Sequence, residues 1–303
     1  MDTVSSKAGS SEKQQKRCSR CGKIVIYIGI VEAMIFVVLK VTFGLASGSR
    51  ALVAASLYSM QDLISSLVAA IGLKISGRPP DHNHPYGHGK VEYLVVVLMS
   101  VMILLGVIAL AVTSLAGLFG GVSAAEAPTM MALWLALVCG MACWLLAHFQ
   151  GCAGKRLNSP ALKSCATHMH SDYIASIAVV VSVIGARLGY PALDHIVAIV
   201  EAVHVVFVSG RMLGSAVNGL MDAAAEPNLI EKLKRLIGEI KSVRVRKATA
   251  GWAGQTLMAR LDVEVPGNMG VKDADELRTR IQQTVKTRLC EHSETLVRIL
   301  PAQ

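Results

Sequence analysis

Residues 92–118 read EYLVVVLMSVMILLGVIALAVTSLAGL, an almost unbroken apolar run. A bilayer core of about 30 Å is crossed by roughly 20 such residues in a helix, so this run predicts a membrane-spanning segment. The composition of the whole chain agrees, because 53% of its 303 residues are hydrophobic and only 17% are charged. Soluble domains are typically about 25% charged. The mean hydropathy of +0.50 favours the same class. We therefore predict a membrane protein.

Five further segments on either side of this run have a suitable length and composition. The six candidate spans are 24–46, 51–75, 92–118, 128–149, 168–189 and 192–216. The second and fifth are more polar than the others, and we include them because of the ionisable residues that they carry. The sequence thus predicts an all-α transmembrane domain of six helices.

The positions of Lys and Arg predict the orientation. They concentrate before the first span and in the loops after spans two and four, whereas the opposite loops carry only Arg50 and Arg187. Cytoplasmic loops are the basic ones, so both termini are predicted to be cytoplasmic. The net charge is +9. The basic residues flank apolar runs and form no single stripe, so we expect no binding to nucleic acid.

The first 22 residues are polar and have no apolar start, which predicts a disordered tail and no signal peptide. Cys18 and Cys21 have CxxC spacing there. A metal-delivery contact, a redox pair and plain reduced cysteines are all open, and the last is favoured because no second pair accompanies them. The chain has seven cysteines, an odd number without the spacing of a disulfide framework.

The pattern changes after Asp222, where amphipathic helices alternate with strands. The predicted elements are a helix at 227–241 with Asn228 as N-cap, strands at 243–248 and 256–265, a helix at 271–289 and a strand at 295–300. This α-β-β-α-β order predicts a small ferredoxin-like α+β domain. The predicted domains are a tail at 1–22, a transmembrane domain at 23–217 and a cytoplasmic domain at 222–303.

Two candidate spans carry polar pairs at a spacing of four, which places each pair on one helix face. They are Tyr58 with Asp62, and His168 with Asp172. An ionisable residue in a span costs roughly 2.5–3.5 kcal/mol, and no Lys or Arg lies deep in either span to neutralise the acids. Interhelical hydrogen bonds are one explanation. A shared transition-metal site is favoured, because it uses two carboxylates, an imidazole and a phenol together.

A second group of potential ligands lies between spans two and three. The sequence DHNHPYGHGK at 81–90 places Asp81, His84 and His88 in a loop that contains Pro and Gly. A merely solvated turn is the alternative, but three histidines and an aspartate in so short a loop are typical of a metal site.

These motifs resemble those of the cation diffusion facilitator family over nearly the whole chain. They are YSMQD at 58–62, PDHNHPYGHGK at 80–90 and HMHSD at 168–172. The resemblance implies a transport site formed by Tyr58, Asp62, His168 and Asp172, and a second metal site formed by Asp81, His84 and His88. It also implies a salt bridge between Lys90 and Asp222, and a dimer, either of two copies or with a related transporter. Members of the family exchange divalent metal ions for protons.

Within the family, the resemblance is greatest to the magnetosome-membrane members, which implies iron as the favoured cargo, with zinc or manganese possible. It places the protein in a bacterial inner membrane or a magnetosome membrane. No nucleophile elbow, P-loop or dinucleotide motif is found, so we predict no enzyme and no cofactor. Met258, Arg260 and Asp275 stand where relatives carry ligands in the cytoplasmic domain. A non-transporting scaffold that recruits partner proteins to the membrane is therefore the alternative function.

Overall fold

The computed structural model describes residues 24–39, 41–42, 50–119, 130–188, 192–240, 243–290 and 292–302. The predicted tail, with Cys18 and Cys21, lies outside these residues. The chain divides into two compact units between Ala216 and Val217. The first unit is helical, and the second contains the only β-sheet in the described part of the chain.

Six helices overlap the six predicted spans. They are α1 (Ile24–Leu39), α2 (Arg50–Ser76), α3 (Val91–Phe119), α4 (Met130–Leu157), α5 (Pro160–Arg187) and α6 (Ala192–Leu220). Among the described residues, three stretches are long and apolar enough to cross a membrane, at Val91–Ala109, Ala136–Leu157 and Ile199–Leu220. Helix α1 is apolar but shorter there, and α2 and α5 are long but more polar.

The fifth helix begins earlier than predicted. The predicted span covers 168–189, and α5 already begins at Pro160. The hydroxyl of Ser159 accepts a hydrogen bond from the Leu162 amide at 3.3 Å, which caps the helix. A capping serine followed by proline is a common helix start. His168 and Asp172 therefore lie inside the helix, away from its fraying end.

Helices α4 and α5 form the most extensive pair of the first unit. Their backbones approach closely at glycines, since a Cβ at Gly140 would lie 2.9 Å from the Cβ of Ser176. Helix α2 packs against α3 and α5. Helix α1 contacts α4, where a Cβ at Gly29 would lie 3.3 Å from side-chain atoms of Leu146 and Gln150. Helix α5 is thus packed between α2 and α4.

The second unit has the predicted α-β-β-α-β order. Its elements are α7 (Pro227–Gly238), β1 (Arg244–Ala253), β2 (Thr256–Val265), α8 (Val271–Arg288) and β3 (Ser293–Pro301). The strands lie in the order β1-β2-β3, with β1 antiparallel and β3 parallel to the central β2. The predicted cap at Asn228 is wrong. Pro227 already occupies the first turn, so Glu226 is the N-cap.

The core of this unit lies on one face of the sheet. Leu257, Leu261 and Val263 alternate along β2 and are fully buried, as the sequence pattern predicts. Ile237 of α7 and Ile281 of α8 are buried in the same cluster. Burial of each such side chain contributes about 1.5–3 kcal/mol, so these contacts hold both helices on the sheet.

Candidate metal centre

The two polar pairs predicted from the sequence lie on helices that pack together. Asp62 projects from the middle of α2, and His168 and Asp172 lie one turn apart on α5. The three side chains converge, with one ligand atom of each within 4.8 Å of the others. A histidine and two carboxylates from helices far apart in sequence thus share one position.

The distances within this cluster fit a small cation. His168 Nε2 lies 3.1 Å from Asp62 Oδ1 and 3.7 Å from Asp172 Oδ2. Metal–ligand bonds of about 2.1 Å in tetrahedral geometry would separate two donor atoms by roughly 3.4 Å. His168 is buried, with 8% of its surface exposed, whereas both carboxylates are half-buried. The imidazole is therefore more enclosed than the two carboxylates.

Not every residue of the two motifs joins the cluster. Tyr58 lies on α2, but its side chain is outside the described part of the structure. His170 is exposed, and its ring lies 6.1 Å from that of Tyr173. The hydroxyl of Ser176 donates a hydrogen bond to the backbone carbonyl of Asp172 at 2.9 Å. Ser176 therefore supports its own helix and offers no ligand atom.

A further acid near this cluster was missed by the sequence analysis. Glu32 of α1 lies close enough to Asp62 for their carboxylates to interact electrostatically. Its Oε1 atom is buried, and no hydrogen-bond partner for it occurs among the described residues. Burial of an acid in an apolar segment costs free energy, and this criterion identified Asp62 in the sequence. Glu32 meets the same criterion. Glu32 adds a third carboxyl group beside the cluster.

The second predicted cluster forms within the loop between α2 and α3. Asp81, His84 and His88 place one ligand atom each within 4.8 Å of one another. His88 Nε2 lies 3.6 Å from Asp81 Oδ2, and the two imidazole rings have centroids 4.5 Å apart. Gly87 adopts a φ of +75°, a conformation that favours glycine, so the chain can turn His88 back toward Asp81.

The Asp81 carboxylate organises this loop. Its Oδ1 atom accepts hydrogen bonds from the backbone amides of His84 at 2.7 Å and Asn83 at 3.0 Å. The bond from the His84 amide, assisted by the nearby His84 and His88 imidazoles, holds the pKa of Asp81 below its ordinary value. Asp81 is therefore ionised and preoriented toward the two histidines.

Comparison with known proteins identifies the family of this chain. The model of the cation efflux transmembrane domain matches residues 26–221, which include both clusters. The chain belongs to the cation efflux family, also called the cation diffusion facilitators. Proteins of this family transport metal ions across membranes.

Cation efflux relatives resemble this chain over most of its length. Magnetosome protein MamM of Magnetospirillum gryphiswaldense is 31% identical over 88% of this chain and 85% of its own length. Magnetosome protein MamB of the same organism is 31% identical over 89% of this chain and 92% of its own. The manganese efflux system protein MneP of Bacillus subtilis is 26% identical over 96% and 98%.

The salt bridge implied by the resemblance stays a prediction. Lys90 immediately precedes α3 in the first unit, and Asp222 follows α6 in the second. Asp222 adopts a φ of +58°, so the chain turns sharply as it leaves α6.

Proposed function

We propose that this protein exports divalent metal ions from the cytoplasm into a magnetosome or periplasmic compartment in exchange for protons. The observation that carries the proposal is the convergence of Asp62, His168 and Asp172 at a single position. On α2 and α5, the basic residues lie only toward the helix ends, at Arg50, Lys74, Lys163 and Arg187. Two carboxylates placed so far from these cations call for a visiting cation.

The donor set favours Fe²⁺, with Mn²⁺ and Zn²⁺ as possible cargo. Asp62 and Asp172 supply oxygen ligands, and His168 supplies one nitrogen. An un-ionised Tyr58 would be a poor ligand, because the ordinary pKa of a phenol is about 10. An oxygen-rich set without cysteine is less committed to Zn²⁺ than sites with thiolates. The likeness to two magnetosome proteins and to a manganese efflux protein supports the same cargo class.

Proton exchange follows from the chemistry of His168. The imidazole binds a metal ion only through a nitrogen that carries no proton. A metal ion that arrives from the cytoplasm therefore displaces a proton, and a proton that arrives from the compartment displaces the metal ion. Because the proton and the metal ion compete for the same nitrogen, a pH difference across the membrane can drive this exchange.

We place all six helices of the first unit across the membrane, with both termini in the cytoplasm. In this topology α1, α2 and α5 are spans despite their shorter or more polar sequences. The loop cluster of Asp81, His84 and His88 then faces the cytoplasm as a second metal-binding position. The second unit forms a cytoplasmic, ferredoxin-like domain through which two copies, or one copy and a related transporter, associate.

A non-transporting scaffold is the second candidate, and two observations in the second unit favour it. Arg260 is exposed on the sheet, and Asp275 is paired with Arg278 on α8. A cation at a ligand position repels metal. Among the described residues, no group of three potential metal ligands occurs in this unit. These features favour a domain that binds protein and no metal.

Flux into proteoliposomes tests the proposal. Purified protein is reconstituted, and uptake of Fe²⁺, Mn²⁺ and Zn²⁺ is measured for the parent, Asp62→Ala and Asp172→Ala. We expect both variants to lose nearly all uptake. Uptake at the parent's rate in both would overturn the transport mechanism, and absence of uptake of all three ions by the parent would favour the scaffold.

A further inference from the structure

A buried carboxylate outside both metal clusters joins three helices. Glu92 is the second residue of α3, and none of its surface is exposed. Its Oε1 atom accepts a hydrogen bond from the hydroxyl of Ser76 at 2.9 Å. Its Oε2 atom accepts a short hydrogen bond from the hydroxyl of Ser159 and a second bond from the Ala161 amide at 3.3 Å.

The partners of Glu92 lie at the ends of the two helices that carry the transport ligands. Ser76 is the last residue of α2, and Ser159 caps the first turn of α5. Ser159 and Ala161 are fully buried, so water cannot replace these bonds. A negative charge at a helix N-terminus also interacts favourably with the helix dipole. Glu92 thus ties the end of α2 to the start of α5.

The same two helices meet again farther along, at Asp62 and His168. His168 follows Ser159 by nine residues, which is about 14 Å along a helix. Between the two points, Ala69 of α2 lies in one buried apolar cluster with Ala161 and Cys165 of α5, which α3 completes. The position of α5 relative to α2 at the Glu92 end therefore determines how closely His168 approaches Asp62.

We propose that Glu92 is a positioning residue of the transporter, which holds the adjacent ends of α2 and α5 together so that Asp62, His168 and Asp172 converge. This inference rests on the proposed function, because it concerns the same metal site.

Glutamine is the informative substitution. The Glu92→Gln side chain has nearly the same size, but its amide group would face either the Ser76 hydroxyl or the Ser159 and Ala161 donors. The Ser76 hydroxyl could accept a hydrogen bond from the new amide group, but the carboxylate that binds the donors of both helices would be lost. Hydrogen bonds to a neutral amide oxygen are weaker than those to a carboxylate. Ser159→Ala is the milder companion, because it removes one bond of Glu92 and the cap on the Leu162 amide but leaves the bonds of Glu92 to Ser76 and Ala161. Ser100→Ala is the matched control, because Ser100 is buried on α3 but bonds only to the Val96 carbonyl of its own helix.

Hydrogen–deuterium exchange of the full-length protein in nanodiscs tests, without reference to transport, whether Glu92 joins the end of α2 to the start of α5. We call this connection the joint. We expect exchange in Glu92→Gln to rise about tenfold in peptides that cover both the end of α2 and the start of α5. Ser159→Ala should show a smaller rise at the start of α5, and Ser100→Ala none. Unchanged exchange at both ends in Glu92→Gln, or a change confined to α3, would overturn the proposal.

Metal flux in the same variants tests the consequence for the site. We expect the maximal rate to fall at least about tenfold in Glu92→Gln, since a displacement of about 1 Å is costly to a preorganised site. Adding Ser159→Ala to this variant should lower the rate little further, because both changes break one network. Parental flux in Glu92→Gln would refute positioning. If Asp62→Ala also carried metal like the parent, the proposed function would fail, whereas the exchange result would still decide whether the joint exists.

Discussion

His168 Nε2 lies 3.1 Å from Asp62 Oδ1 and so links α5 to α2. Asp172 approaches the same nitrogen from the next turn of α5, at 3.7 Å. One imidazole therefore lies between two carboxylates. In the proposed transport mechanism, a metal ion replaces this contact between imidazole and carboxylate with bonds to itself.

The acid near this position should tune its affinity for metal. We expect Glu32→Gln to weaken binding of Mn²⁺ by about three- to tenfold, because it removes a carboxyl group near Asp62 whose ionised form a bound cation favours. Isothermal titration of the purified protein measures this change. Glu201→Gln is the matched control, since Glu201 is a half-buried acid of α6. Equal affinities of parent and Glu32→Gln would exclude Glu32 from the site.

The loop cluster should keep its shape in mildly acidic solution. The pKa of Asp81 is lower in the folded protein than its value of about 3.9 in the unfolded chain. Its carboxylate therefore stabilises the fold fully above the unfolded pKa. This stabilisation is lost as the pH falls through the lower folded pKa. Carboxyl ¹³C chemical shifts across a pH titration report this pKa. We expect Asp81 to titrate below the ordinary aspartate value.

His84→Ala extends this test. It removes the imidazole but leaves the backbone amide, which is the larger cause of the lowered pKa of Asp81. Part of the shift should therefore persist in the variant. An ordinary titration of Asp81 in the parent would contradict the loop geometry.

The close packing of α2 on α3 should tolerate no extra methyl group at Gly72. A Cβ there would lie 2.2 Å from Cγ2 of Val95, so Gly72→Ala should destabilise the protein by about 1–3 kcal/mol. Thermal unfolding in detergent measures this effect. A Cβ at Gly210 of α6 would have no atom of another described helix within 4 Å, so Gly210→Ala should be neutral or stabilise by up to about 1 kcal/mol. Similar losses in both variants would argue against the α2–α3 contact.

The sequence predicted the ligand clusters better than it predicted their surroundings. Asp62, His168 and Asp172 were recognisable because ionisable residues are costly in apolar segments and a spacing of four places a pair on one face. Glu32 satisfies the same criterion, but nothing in the sequence of α1 says which neighbouring helix its acidic face meets. Its relation to Asp62 depends on tertiary packing.

The joint at Glu92 shows the same limit. In the sequence, Glu92 is the first residue of an apolar run and resembles an ordinary charged flank. Its partners Ser76 and Ser159 lie 16 and 67 residues away, and only the packing of α2, α3 and α5 brings them together. Local signals also do not locate the start of α5, because a serine that caps a helix looks the same in sequence as a serine in a loop. The alternation of β2, in contrast, needed no tertiary information.

The most direct test of the central claim is pulsed electron paramagnetic resonance of bound Mn²⁺, which detects a coordinated imidazole nitrogen. His84→Ala and His88→Ala are introduced first, to remove the loop imidazoles. In this background we predict a nitrogen coupling that disappears with His168→Ala and persists with His170→Ala, since His170 is exposed and outside the cluster. A coupling that survives His168→Ala, or bound Mn²⁺ that shows none before this change, would contradict metal binding at this position.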